Sequence, residues 1–533
     1  MYFDVSARKL LYLFLLTAVL TVLVVVSVGT FRTYDESLRL VRNAIDRVEA
    51  EIVYWTVYKV PLEIKRPFAA IGLVPDTLYR SVSVSGTAQS VPVLAYHGEN
   101  AATTTMPTAL FVEHMRTLKA AGWKTITIKE FERFMKGELQ VPDKSFVLTF
   151  DDGRRDAFYA NDPVLKDLGF TAVMFVVTGF SLPDNGPAAI SEFYLSKSEL
   201  EYMVRSGRWE FLSHGDQDHR GYIVPIAATT SAVFVSGGHF LSNKFWVPEA
   251  GRIETDEEYA TRVSHDLAVS KQTLEETFGV PITGFAFPFN DFGQESSNFP
   301  ESITLLERLA TAQYDYLYYQ SWDGSGDTFN YPDPNQNFIK RIEPLENWPS
   351  ERLLAVLEGG RVKPLPYTAD SFSFDWTSNW GTLQGGIELA LRATPETTGA
   401  SAILDGTASW RNYRIRATAR VENGTVSLIA RHVAPDEPYI VCAFAGDRIY
   451  LERHRGQEQE TLSRVDYAPP QEPATWGIAM EVRGNTARCS AYGTAVESTI
   501  TGVSESGGIG ASVWDPNLGD AKVALTTFSA EPL

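Results

Sequence analysis

Cysteine is nearly absent from this chain. Its 533 residues include two, Cys442 and Cys489, both late and neither with metal-ligand spacing. A metal centre built on thiolates is therefore excluded. Outside the cytoplasm the two could join as a disulfide; two buried free thiols fit the sequence equally well. Positive charge is also short: 47 Lys and Arg face 66 Asp and Glu, a net charge of −19. Such a surface argues against nucleic acid as a partner. Strong repeats and low-complexity segments are missing as well. Charge of either sign is missing from Leu10 to Gly29, a run dominated by Leu and Val. A run of that length can span a bilayer. Arg8 and Lys9 precede it, and no small-residue cleavage site follows. An uncleaved signal-anchor is the favoured reading and a cleaved signal peptide the competing one. The short leading tail favours a cytoplasmic N-terminus, hence a single-pass cell-membrane protein with its body outside the cytoplasm.

The length implies two or three domains, and 44% hydrophobic residues suffice for large cores. Residues 1–31 read as tail and anchor. Residues 32–91 read as a helical stalk, or a helix packed on the body, followed by a linker. Over 92–362 strand-like and helix-like stretches alternate, which signifies a parallel α/β sheet or barrel. Strands are expected at Val93–Tyr96, Phe146–Phe150, Thr171–Val177, Trp209–Ser213 and Ile282–Phe289, and a tyrosine-rich run, Tyr314–Tyr319, follows. Capping boxes at Thr127/Glu130, Ser196/Glu199 and Thr255/Glu258 start three of the helices. Residues 221–250, rich in aromatics, Gly and Pro, read as an inserted hairpin or loop. From 366 to 533 helical patterns vanish. Short alternating runs such as Tyr413–Val421 imply an all-β sandwich, with Asn423-Gly424 as a hairpin turn signal.

The central stretch is Phe146-Val-Leu-Thr-Phe-Asp-Asp-Gly153, a buried-strand pattern ending in two carboxylates. In parallel α/β folds the ends of the strands carry the ligand site. Asp151 and Asp152 are neighbours on one loop and cannot point the same way. One can bind a metal while the other handles protons. Taken alone, Asp-Asp-Gly is also ordinary turn chemistry. Other candidates also follow strands: His97, His214 and, near Pro288, Asn290 and Asp291. Asp152, His214 and His219 would supply one oxygen and two nitrogens to a divalent ion, leaving a position for water. His214 and His219 are five apart and cannot share a helix face, so an irregular turn must bring the rings together. Asp151 would then take a proton from the activated water, and His97 would protonate the leaving atom.

Three motifs in order, Thr149-Phe-Asp-Asp-Gly153, His214 to His219, and Phe285-Ala-Phe-Pro-Phe-Asn290, resemble those of the polysaccharide deacetylases (the NodB-homology domain, carbohydrate esterase family four). Tyr96-His97-Gly98 makes the chain similar to the branch with poly-N-acetylglucosamine deacetylases. The resemblance implies a distorted (β/α) barrel. It implies a metal-dependent hydrolase that removes N-acetyl groups from a GlcNAc-type polysaccharide, with zinc, or cobalt or nickel, as the ion. It assigns Asp151 as base, His97 as acid, and Asp152, His214 and His219 as metal ligands. The backbone N–H near Phe289 would bind the oxyanion. Three departures stand out. Gly215 replaces a Ser or Thr, Asn290 replaces a common glycine, and Ala286 stands where many members carry an arginine that pairs with the base. Arg341 is a candidate for that missing charge, or else a surface strand residue. The sandwich resembles concanavalin-like or laminin-G-like modules, in which Trp380, Trp410, Trp476 and Trp514 would stack on sugar or simply pack. An O-acetyl esterase and a non-catalytic glycan-binding protein are the rival readings.

Overall fold

The computed structural model describes residues 36–533 apart from short stretches, the longest at 74–78, 99–105, 183–192, 226–233, 321–327 and 469–474. The apolar run Leu10–Gly29 lies outside the described residues, and no described helix is long and apolar enough to cross a membrane.

The central strands are β1 (Val93–Tyr96), β2 (Lys124–Thr125), β3 (Ser145–Phe150), β4 (Ala172–Val176) and β5 (Trp209–Ser213). After them come two inserted hairpins, β6 (Gly221–Pro225) with β7 (Phe234–His239) and β8 (Trp246–Val247) with β9 (Arg252–Ile253). The core resumes with β10 (Gly284–Ala286), β11 (Tyr316–Gln320) and β12 (Phe338–Arg341). Parallel pairing runs β1-β3-β4-β5-β10-β11-β12, with β2 beside β3. The ring closes where Ile342 and the β1 backbone exchange hydrogen bonds: Ala95 N–H donates to Ile342 O and Ile342 N–H to Val93 O. The closure is uneven, since β5 and β10 share only the Phe285–Ser213 partnership. Parallel strands buried on both faces must be continuously apolar. β1, β3 and β4 are buried at every position. The three capping boxes form as expected, and two of the helices they start, those of Ser196 and Thr255, close on left-handed glycines at Gly207 and Gly279. The strand expected over Ile282–Phe289 is shorter. It ends at Ala286 and turns into a 3₁₀ segment, Pro288–Asn290, because proline removes the next ladder donor.

One helical rod, Glu36–Val53, a π turn Tyr54–Lys59 and Val60–Ala70, precedes the barrel. It packs on the body rather than standing away as a stalk. Asp167 receives Tyr54, Lys59 and Arg116, and Arg155 bonds both Asn43 and Asp46.

The C-terminal region consists of an eight-stranded and a seven-stranded sheet, both antiparallel. Cys442 in Tyr439–Phe444 and Cys489 in Thr486–Ala491 form a disulfide, Cα–Cα 5.5 Å, that ties one sheet to the other. One turn expectation fails. Tyr413–Asn423 and Thr425–His432 belong to different sheets, so Asn423-Gly424 is a corner between layers and not a hairpin. Gly424 is required there, since its φ is +95° and a β-carbon would meet Trp514 O at 2.6 Å. Trp410 is buried, whereas Trp380 and Trp514 are exposed. The Trp410 indole N–H donates to Lys363 O at the junction with the barrel.

Candidate active site

Asp151 and Asp152 follow β3 at the carboxyl ends of the strands. The chain turns sharply there: Asp152 has φ +72° and Gly153 +66°. A left-handed Asp is unusual and strained. Its effect is to send the two carboxylates to different partners.

Asp152 faces the histidines. Its Oδ1 lies 3.4 Å from His214 Nε2 and 2.9 Å from His219 Nε2. One ligand atom from each of the three falls within 4.8 Å of the other two, the one such group among the described residues. His214 Nδ1 donates to Ala286 O at 2.8 Å, which leaves the Nε2 lone pair for an ion. Burial would raise the Asp152 pKa, but the contacts from His214 and His219 hold it well below the usual carboxylate range. Ionised oxygen and neutral imidazole nitrogen are the donor states that a divalent ion such as zinc requires.

Position 215 must be glycine in this loop. Its φ is +80°, and a β-carbon would stand 1.9 Å from the Asp218 carboxyl. Asp218 thus fills the space that a Ser or Thr side chain would claim. Burial and the nearby charges of Asp266 and Asp216 push its pKa well up.

Asp151 faces the other way. Arg341, at the end of β12, grips it through two bonds, Nη1 to Oδ1 at 2.6 Å and Nη2 to Oδ2 at 2.8 Å. Both side chains are buried, and the guanidinium lies over the Phe175 ring. Burial would raise the Asp151 pKa, but Arg341 lowers it below its ordinary value. The arginine lacking at Ala286 is therefore supplied from another strand. His97 Nε2 lies 3.9 Å from Asp151 Oδ2, and its Nδ1 is 3.1 Å from Glu343 Oε1. Burial would lower the His97 pKa, but Glu343 and the charges of Asp151 and Asp152 lift it to about 9. Gly98 permits the close passage of the next turn, since a β-carbon would lie 2.0 Å from Asp156.

Phe289 has φ +58° and is partly exposed. Its ring rests 4.6 Å from that of His219 and stacks at 4.4 Å and 10° on His239. His239 Nδ1 is 2.6 Å from Asp291, which also accepts from Ser242 and Gly293 N–H. Burial opposes ionisation of Asp291, yet these donors hold its pKa at about 2. Asn290 is not at the site surface. Its amide is engaged with Gln320, donating to O at 2.9 Å and accepting from N–H at 2.6 Å. It anchors the end of β11.

Glu343 and His239 were not found from the sequence. Glu343 had a signal: it lies two positions beyond Arg341, across the buried Ile342, so strand alternation places both on one side. His239 had none, being twenty positions past His219 in the inserted hairpin.

The strand ends of the parallel barrel thus carry an Asp-His-His cluster and, turned away from it, a second carboxylate held by Arg341. Residues 138–304 match the polysaccharide deacetylase family model. The chain is similar to poly-beta-1,6-N-acetyl-D-glucosamine N-deacetylase of Escherichia coli K12, 22% identical over 191 residues, 34% of this chain and 27% of the relative. It is similar also to the Staphylococcus aureus MRSA252 protein of the same name, 30% identical over 113 residues, 20% of this chain and 36% of the relative. Among solved structures, a de-N-acetylase from Aggregatibacter actinomycetemcomitans aligns at 19% identity and TM-score 0.39, covering 49% of this chain and 96% of that one. The chain spans well under half the length of the curated relatives it matches. It carries a polysaccharide deacetylase domain.

Proposed function

We propose that the chain is a metal-dependent deacetylase that hydrolyses N-acetyl groups on a GlcNAc-type polysaccharide outside the cytoplasm, anchored by Leu10–Gly29. The observation that carries the reading is the divergence of the two aspartates: Asp152 joins His214 and His219, while Asp151 joins Arg341 beside His97. A pure binder has no need of a second carboxylate, outside the ion's ligands, set beside the ion site and aimed by an arginine. Both curated relatives named above are N-deacetylases of poly-beta-1,6-N-acetyl-D-glucosamine.

Asp152, His214 and His219 would hold the ion. When bound, zinc or a similar ion supplies Lewis acidity and makes water a nucleophile near neutral pH. Asp151 accepts the proton of the attacking water. Arg341 keeps Asp151 ionised and fixes its direction. Water oxygen bonds to the acetyl carbonyl carbon, and the Phe289 backbone N–H faces the developing oxyanion. His97, protonated and oriented by Glu343, gives its proton to the sugar nitrogen as the C–N bond breaks. The products are acetate and a free amine.

The test is acetate release from acetylated β-1,6-glucosamine oligomers, before and after chelation and after adding zinc or cobalt. Release that chelator stops and metal restores is expected. No release under any metal would favour a binding protein, and release from O-acetyl esters alone would favour an esterase.

A further inference from the structure

The helical rod before the barrel has a side that no described residue covers. Val41, Val48 and Trp55 recur every seven residues, then Val60, Ile64 and Phe68 at steps of five, four and four. All six are 45–62% exposed. A straight α-helix would drift out of phase across this change of period. The π turn Tyr54–Lys59 takes an extra residue into the turn, and the smaller rotation per residue sets the second group back toward the line of the first. The result is one apolar stripe along the rod. The other side is bolted to the barrel by Asn43, Asp46, Tyr54 and Lys59, and Arg47 lies 4.2 Å over the Tyr202 ring. The stripe is therefore fixed in direction, pointing away from the body.

Monomeric soluble proteins rarely leave so long an apolar patch in water. What lies against it follows from position in the chain. Only residues 30–35 separate the rod from the charge-free run Leu10–Gly29. Six residues reach at most about 20 Å when extended, so the rod begins at the bilayer surface. Its charge suits that place. Residues 36–73 hold six basic side chains (Arg39, Arg42, Arg47, Lys59, Lys65, Arg66) against five acidic (Glu36, Asp46, Glu49, Glu51, Glu63), a net +1 in a chain of −19. Trp55 sits midway along the stripe, a residue suited to the membrane–water interface.

We propose that the rod lies in the outer surface of the bilayer with this stripe sunk among lipid headgroups and upper acyl chains, so that the barrel is held at a fixed attitude to the membrane. The proposal rests on reading Leu10–Gly29 as an anchor and is independent of the catalytic chemistry.

The test uses full-length chain in liposomes of phosphatidylethanolamine and phosphatidylglycerol, diluted in lipid. Val48→Cys, Ile64→Cys and, as a water-facing control in the sandwich, Ile387→Cys are each spin-labelled; Ile387 is 92% exposed. Accessibility to oxygen relative to an aqueous nickel complex should be several-fold higher at 48 and 64 than at 387. Equal ratios at all three positions would overturn the proposal. So would mutual broadening of the 48 and 64 labels that unlabelled chain relieves, since a second copy would then cover the stripe. Labels shielded from both reagents would mean a protein cover and overturn it too. Release of the chain by alkaline carbonate would refute the anchor alone; labels that still favoured oxygen would leave the rod on lipid.

Discussion

The barrel and the sandwich each close on a buried apolar core, but the barrel also gathers paired, opposed charges at the carboxyl ends of its strands. In the barrel, Asp151, Asp152, Arg341 and His214 are almost wholly enclosed. In the sandwich the enclosed centre is apolar, and its cross-link is the Cys442–Cys489 disulfide. Buried charge is costly and persists where each group has partners. The barrel therefore advertises a reaction, whereas the sandwich advertises stability. Loss of a side chain should separate the two accordingly.

The largest effect is expected at the proposed ion site. His214→Ala should lose bound metal and acetate release together, as metal analysis beside activity will show. Asp151→Asn should keep the metal while turnover falls by roughly 10²–10⁴-fold. If both variants behaved alike, the division of labour between the two aspartates would be wrong. Arg341→Met leaves Asp151 buried without its partner. A stability loss of about 3 kcal/mol or more is expected by denaturant titration, with metal content retained. This would show that the base is held by β12 and not by the third motif.

The sandwich should answer in the opposite way. Cys442→Ser with Cys489→Ser should cost about 2–5 kcal/mol in unfolding but leave acetate release from short oligomers unchanged at 25 °C. A loss of activity on short oligomers would break the contrast between the two regions.

Smaller effects sharpen the picture inside the barrel. His97 is protonated up to about 9 through Glu343, Asp151 and Asp152, with Arg341 the nearby opposing charge. Activity that needs this proton is full below that value and falls as pH rises through it. Glu343→Gln removes one anionic partner, so the basic limb of the pH–rate profile should move to lower pH. A limb that stays put would mean that another group donates the proton. His239→Ala removes the ring that backs Phe289 behind His219. Metal affinity should weaken by about tenfold, and His239→Phe should restore much of it.

Much of this was legible in the residues. The alternating elements over 92–362 emerged because parallel strands must be apolar throughout and helices must be capped. Asp151, Asp152, His97 and His214 stood out as candidates because they fall at strand ends, and His219 through its spacing from His214; the structure brings Asp152, His214 and His219 together. Asn290 stood out in the same way, but strand-end position does not show that its amide is engaged with Gln320 O and N–H. Asn423-Gly424 was misread because a turn dipeptide specifies reversal but not which sheet receives the next strand. The relation of the helical rod to the barrel was left open, since amphipathic spacing does not say what lies against either side.

The order of motifs, the two carboxylates and the lone pair of cysteines are properties of the chain, and local physics suffices to read them. The choice of Arg341 as partner for Asp151, of Glu343 for His97 and of His239 behind Phe289 belongs to the closed barrel. Those pairs lie 190 (341 − 151), 246 (343 − 97) and 50 (289 − 239) positions apart. No local propensity couples such distant residues; only ring closure, which sets β12 against β1, brings their charges within bonding distance.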